Sequence, residues 1–385
     1  MRGEFQKMMR TFSDGSRRWL LTVTVSGLML LVMSQCVSES DERPGVETSP
    51  RIRKQVKVIS PKTGEKFAFG ETIAFQLEHR KDVVIDSVRL VAGGKSSIEV
   101  GDSFSMNSED YRVGSPRIKV TAYYEGGNET VFPKVTILAA NPPEEFAYRI
   151  IDEYPHDPNA YTQGLFFDGE RLFESTGDKV DRRANAFSSI REVSLQSGEV
   201  LRQNVLEARY FGEGCTLWDD RIYQLTYTAG EALVYDRNLE LLETFDYSTQ
   251  TGEGWGLAVA GDTLLMSDGS ENIYMLNPLD FSEIDRIQVY DHEGKVDDLN
   301  ELEYYDGALY ANLYTDREDA IVVIDIGTGQ VTGKINFDNI VDRRSLRGMD
   351  YVMNGTAFHP SGRLYVTGKW WPSLFHVEIV KKDNS

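Results

Sequence analysis

The sequence predicts an all-β protein in which a five-bladed β-propeller over residues 145–385 follows a small β-sandwich over residues 52–140. Three observations carry this. A turn-plus-strand pattern recurs five times in the longer part, at the interval expected of four-stranded blades. No long segment of 3.6-residue period interrupts that array, so α/β alternatives lack their helices. The shorter part shows period-two alternation between closely spaced turn signals, and Asn141-Pro142-Pro143-Glu144 separates the two.

At 385 residues the chain exceeds one ordinary core, because single cores stop growing near roughly 250–300 residues. Apolar residues at 41% and aromatics at 11% supply enough material for packed globular units. The balance of 61 acidic against 41 basic residues gives a formal charge of −20. That charge repels phosphate backbones, so nucleic acid is not an expected partner.

Residues 1–36 read as an export signal. Arg2, Lys7, Arg10, Arg17 and Arg18 precede an apolar run from Trp19 to Met33. The run is shorter than the roughly 20 apolar residues of a spanning helix, and Cys36 follows it directly. A cysteine there resembles a bacterial lipoprotein processing site, which makes Cys36 the expected lipidated residue, although Gln35 departs from the small residue normal before it. An uncleaved anchor and ordinary secretion are the other readings, and all three export the protein to the periplasm or cell surface. Residues 37–51, rich in Ser, Glu, Asp and Pro, read as a flexible tether.

Within residues 52–140 the alternating segments begin near Gln55, Thr72, Ile85, Arg117 and Val131. The opening Ser60-Pro61 through Phe69-Gly70 resembles the first hairpin of bacterial immunoglobulin-like modules, which makes this part an immunoglobulin-like β-sandwich, read as a spacer or adhesion module. In the longer part the five copies are anchored by Leu172, Ile222, Leu264, Leu309 and Leu364, 42 to 55 residues apart. A ring of blades must close to leave no unpaired edges. The last copy ends near Val380 without an outer strand, so Phe146 to Asp152 is expected to supply it.

Loops joining blade strands converge on one mouth, so residues distant in sequence can share a site. Five clusters stand out there: Tyr161-Thr162-Gln163-Gly164, Phe211-Gly212-Glu213-Gly214, Gly254-Trp255-Gly256, Leu299-Asn300-Glu301-Leu302, and Gly368-Lys369-Trp370-Trp371-Pro372. Taken alone, Glu213 between glycines also fits a surface turn, while Gln163, Asn300 and Lys369 fit turn-stabilising polar residues. The ordered series resembles the plant-type glutaminyl cyclases, known from papaya and bacterial relatives, over about 220 residues of the propeller only.

The resemblance implies conversion of N-terminal glutamine in peptides or proteins to pyroglutamate with release of ammonia. It also implies Glu213 as the acid/base, presented by glycine neighbours that let the backbone turn sharply. Gln163 and Asn300 would hydrogen-bond the substrate, and Lys369 would add a cationic donor. Tyr161, Phe211, Tyr227, Trp255 and Tyr314 would form a water-excluding lining, with blade-core packing the alternative for each. Tyr161, Tyr227 and Tyr314 stand where the family pattern has a phenylalanine and tryptophans, so pocket size is expected to differ.

The loop from Gly177 to Ser188 is longer and more charged than the family's and could cap the mouth. No cofactor or metal is expected: His156, His292 and His359 lack ligand spacing, and Asp297-Asp298 alone is a weak cation signal. Cys215 has no adjacent histidine to activate it. A propeller that binds without catalysis is the alternative, and a metal-dependent propeller hydrolase a weaker third. The membrane enters only through the lipid anchor, and a monomer is assumed.

Overall fold

The structure, a computed structural model, describes residues 54–177, 187–315, 317–342 and 351–382. The leader with Cys36, the tether and residues 178–186 of the charged loop lie outside the described residues. Strands account for nearly all regular structure, and no α-helix occurs among the described residues.

The sandwich pairs Val56–Ser60, Thr72–His79 and Ser103–Asn107 in one sheet, and Lys95–Val100, Ile85–Ala92, Lys119–Tyr124 and Gly127–Val131 in another. Alternation does the work: Ile73, Phe75 and Leu77 point inward from one sheet and meet Val88, Leu90, Val120 and Ala122 from the other. Phe75 stacks on Phe104 at 4.9 Å. The run expected as one strand from Val131 is two, Gly127–Val131 and Val135–Leu138, the second pairing in parallel with Glu65–Ala68. Pro133 lies in the break, where a ladder would need the N–H it lacks.

Rather than standing apart, the sandwich packs on the propeller. Arg112 pairs with Asp285 at 2.7 Å, Val113 N–H donates to Thr328 O at 2.9 Å, and Tyr290 joins the sandwich core. Gly114 takes φ +110°, and a Cβ there would fall 2.5 Å from the Gln288 side chain, so only glycine fits the seam.

Four of the five repeats become four-stranded antiparallel meanders, and the fifth supplies three strands. Two-residue hairpins join inner to second strands in the first four blades, and Asp219-Asp220 and Asp306-Gly307 have positive φ at both central positions, matching the right-handed twist of the strands. The fifth sheet is completed by Glu144–Pro155, antiparallel to Ser373–Lys381 from Phe146 opposite Lys381 to Pro155 opposite Ser373. Its first residues also pair in parallel with Gly333 to Ile335 of the fourth sheet, a link not anticipated from the sequence. Inner strands Thr162–Asp168, Gly212–Trp218, Leu257–Ala260, Leu299–Tyr305 and Met353–Phe358 pack each against the next and the last against the first.

At the mouth end of this ring the inner strands approach at backbone distance. A Cβ on Gly214 would lie 2.5 Å from Leu257 N, and one on Gly256 would lie 2.0 Å from Asn300 O. Gly164 and Gly355 hold the same phase in the first and fifth strands. In the fourth strand that position is Glu301, 1% exposed. Its carboxyl accepts from Thr356 N–H at 3.0 Å and from Leu165 N–H, joining the fourth inner strand to the fifth and the first. Burial, with Glu303 adding repulsion, pushes the Glu301 carboxyl well above the usual carboxylate range.

Replacing Glu301 with leucine strands both N–H groups and should cost about 1–3 kcal/mol for each. The raised folded-state value means the native protein holds this proton more tightly than the unfolded chain. Its contribution is therefore full below the ordinary carboxylate range and is lost as pH rises. Thermal melting of wild type and Glu301→Leu across pH 4–9 checks both, and an unchanged transition with an unchanged pH slope would refute the assignment.

Candidate active site

Four inner strands carry a β-bulge at their mouth end, with register shifts at Thr162/Gly164, Gly212/Cys215, Leu299/Leu302 and Met353/Thr356. A bulge releases residues from the ladder and re-aims their side chains. The residues released include Gln163, Glu213, Asn300 and Asn354, and Trp255 holds the same phase just before the third inner strand. One position per blade therefore faces the mouth. The glycines beside Glu213 serve this differently from the sharp turn expected: neither Gly212 nor Gly214 has positive φ, and both are required because neighbouring backbone leaves no room for a Cβ.

Glu213 is 3% exposed, and Ser175 Oγ hydrogen-bonds its backbone carbonyl. Burial pushes its carboxyl well above the usual range. Lys369 opposes that shift and Glu253 adds to it, so the three groups share one site. Lys369 is 3% exposed, with Nζ 4.7 Å from the Tyr161 ring centre and 4.4 Å from that of Tyr314, a cation between two aromatic faces. Its loop turns at Trp370, whose φ of +61° is strained for an aromatic residue. Trp370 N–H to Ala160 O at 2.6 Å and the ring of Tyr161 at 4.7 Å hold that turn.

The expected lining assembles as a chain of ring contacts. Tyr161 meets Phe211 at 5.9 Å, Phe211 meets Tyr227 at 6.0 Å, and Trp255 meets Tyr314 edge-on at 5.5 Å. Asn300 is brought in beside Gly256, next to Trp255. Gln163, 3% exposed, accepts from Asn354 Nδ2 at 3.0 Å. All nine expected residues thus fall in one neighbourhood. Cys215 is buried, and burial pushes its thiol well up, away from the thiolate a nucleophile needs.

Two residues were missed. Glu253, half-buried, accepts from Trp255 Nε1 at 3.0 Å and from the Tyr227 hydroxyl. The tyrosine that replaces a family tryptophan is thus an anchor for a second carboxylate as well as lining. Its signal was present in Gly252-Glu253-Gly254, a near copy of the motif around Glu213. The other is Asn354, whose Asn354-Gly355 pair keeps phase with Gln163-Gly164 and Glu213-Gly214.

Beneath the site lies a buried ionic clasp. His156 Nδ1 faces Trp371 O at 2.7 Å and Nε2 faces Glu174 Oε1 at 3.0 Å. Both partners only accept, so the ring donates from both nitrogens as a cation. Arg191 grips Glu174 Oε2 at 2.9 and 2.7 Å, and Thr162 Oγ1 donates to Oε1 at 2.6 Å. Burial acts against charge on Glu174, but Arg191 and His156 outweigh it and hold its carboxyl well below the usual range. The clasp ties the Lys369 loop, through Trp371, to the strand bearing Gln163. Among the described residues no group of three or more His, Cys, Asp or Glu is placed to hold a metal ion.

Comparison with known proteins agrees with this geometry. A family model described as glutamine cyclotransferase matches residues 128–379. A curated glutaminyl-peptide cyclotransferase from Arabidopsis thaliana is 36% identical over 236 residues, covering 60% of this chain and 70% of that protein. The crystal structure of Myxococcus xanthus glutaminyl cyclase is matched with a TM-score of 0.56 and 34% identity, over 63% of this chain and all of that one. With its propeller and the ordered motifs of its mouth inside the matched region, the chain belongs to the glutamine cyclotransferase family.

Proposed function

We propose that the protein is a glutaminyl-peptide cyclotransferase acting on peptides and proteins that begin with glutamine. The observation that carries this reading is Glu213, a buried carboxyl on which Lys369 and Glu253 act with opposite electrostatic effect, at the mouth of a family propeller. The neutral α-amine attacks the γ-carbonyl carbon, forming the ring C–N bond and placing negative charge on oxygen. Glu213, protonated at rest, gives its proton to the departing nitrogen, and the carboxylate left behind takes the surplus proton of the former amine. The bond to the departing nitrogen breaks, ammonia leaves as the carbonyl re-forms in the closed ring, and Glu213 ends as it began.

In this reading Lys369 and Gln163 donate toward the developing oxyanion. The aromatic lining excludes water, which favours the neutral amine over the ammonium. Incubating the full chain with a Gln-initiated dipeptide should release ammonia, and Glu213→Gln should lower kcat by about 10²–10⁴. Wild type no faster than the uncatalysed reaction would leave a binding propeller as the better reading. A variant as fast as wild type would remove the role from Glu213 alone.

The neighbouring charges set the pH limits. Activity requires the Glu213 proton and should fall as pH rises through its raised value. Glu253 favours the protonated form, so Glu253→Gln should move this falling limb to lower pH. A pH profile of kcat with an unmoved or alkaline-shifted limb would contradict that electrostatic role.

The basic leader, apolar run and Cys36 further support an exported protein held to a membrane by lipid. Mass spectrometry of the mature protein should find an acylated Cys36 as its first residue. A mature chain beginning elsewhere, or an unmodified Cys36, would exclude this anchor.

A further inference from the structure

We infer that Asn354 is a positioning residue that locks the Gln163 side chain with its amide nitrogen toward the mouth, so that Gln163 acts as a hydrogen-bond donor to a substrate carbonyl oxygen. The inference rests on the proposed cyclotransferase reading for its substrate and on the geometry alone for the orientation. Asn354 and Gln163 lie in the bulges of the fifth and first inner strands, which pack against each other where the ring closes. Asn354 is fully buried, and its Nδ2 donates to Thr162 O at 3.0 Å and to Gln163 Oε1 at 3.0 Å.

The orientation follows from the backbone. A peptide carbonyl can only accept, so Thr162 O requires the nitrogen of Asn354 to face it. The same nitrogen reaches Gln163, so the Gln163 atom in contact must be the acceptor, Oε1. Its Nε2, with two N–H groups, has no partner among the described residues and is left for a ligand. The arrangement has an energetic signature: Asn354 Oδ1 is buried with no partner, at a cost of about 1–3 kcal/mol.

The partner chemistry is a carbonyl that gains negative charge, as the γ-carboxamide of N-terminal glutamine does on attack. Asn354→Asp has no N–H to give, and as a carboxylate it can donate to neither Thr162 O nor Gln163 Oε1. Gln163 then turns its NH₂ to the new carboxylate and presents oxygen to the substrate. For the full chain acting on a Gln-initiated dipeptide, Asn354→Asp should lower kcat by about 10²-fold with a smaller change in KM. Gln163→Leu should do the same, and the double variant should lose no more than about 3-fold beyond either single one, because both act through one group.

Gln163→Glu leaves an acceptor for Asn354 but removes the N–H groups, so it should match the kcat loss at an unchanged melting temperature. It keeps the test open if Asn354→Asp folds poorly. Multiplicative losses in the double variant, or wild-type kcat in Gln163→Glu, would overturn the inference. A readout independent of turnover is the Gln163 side-chain amide resonance in ¹⁵N-glutamine-labelled protein, assigned by its loss in Gln163→Leu. It should shift in Asn354→Asp, and an unshifted resonance overturns the lock. If wild type releases no ammonia but the resonance shifts, the cyclotransferase reading falls while the lock stands.

Discussion

The close approach of five inner strands at one end of the ring is the constraint on which the rest depends. Backbone meets backbone at Gly164, Gly214 and Gly256, side chains crowd Gly355, and bulges beside these glycines leave main-chain N–H groups without ladder partners. A buried donor without an acceptor is expensive, so this convergence requires a group to receive those hydrogens. Glu301 supplies it from the one strand where the glycine is replaced, and its carboxyl spans to two other blades. Fold closure and site formation are thus one event: the bulges that need Glu301 also turn Gln163, Glu213, Asn300 and Asn354 toward the mouth.

Around that frame the charges are sorted by environment. Arg191 and His156 hold the Glu174 carboxyl well below the usual range, while burial pushes those of Glu213 and Glu301 well above it. Glu253 receives hydrogens from Trp255 and Tyr227, the partners of a carboxylate. The clasp fixes position, and the Glu213 carboxyl, whose protonated form burial favours, serves proton transfer in the proposed reaction.

The blades were legible in the sequence because each is made locally: a tight turn, then an alternating strand, repeated. The closing strand near Phe146 was legible by counting what the last blade lacked. Sandwich strands Lys95–Val100 and Ser103–Asn107 were missed because the first is almost wholly exposed and its polar residues leave no alternation to read. At the site, Glu213, Gln163, Asn300 and Lys369 were found through motif order. The role of the glycines was misread because close approach across blades leaves no mark in a local window. Asn354 and Glu253 were overlooked for a related reason: their partners lie on other strands or are defined only once the ring has closed.

The strand Glu144–Pro155 lies immediately after the sandwich, yet its antiparallel partner is the last strand of the propeller. On a ribosome it emerges before any blade and waits, with its donors and acceptors unpaired, until Ser373–Lys381 follows. That separation makes ring closure a long-range event, the kind that slows folding because loop entropy is lost before the contact forms. Parallel pairing of Glu144 to Phe146 with Gly333 to Ile335 can begin one blade earlier. The sandwich, whose strands precede this segment, can fold first and hold its near end.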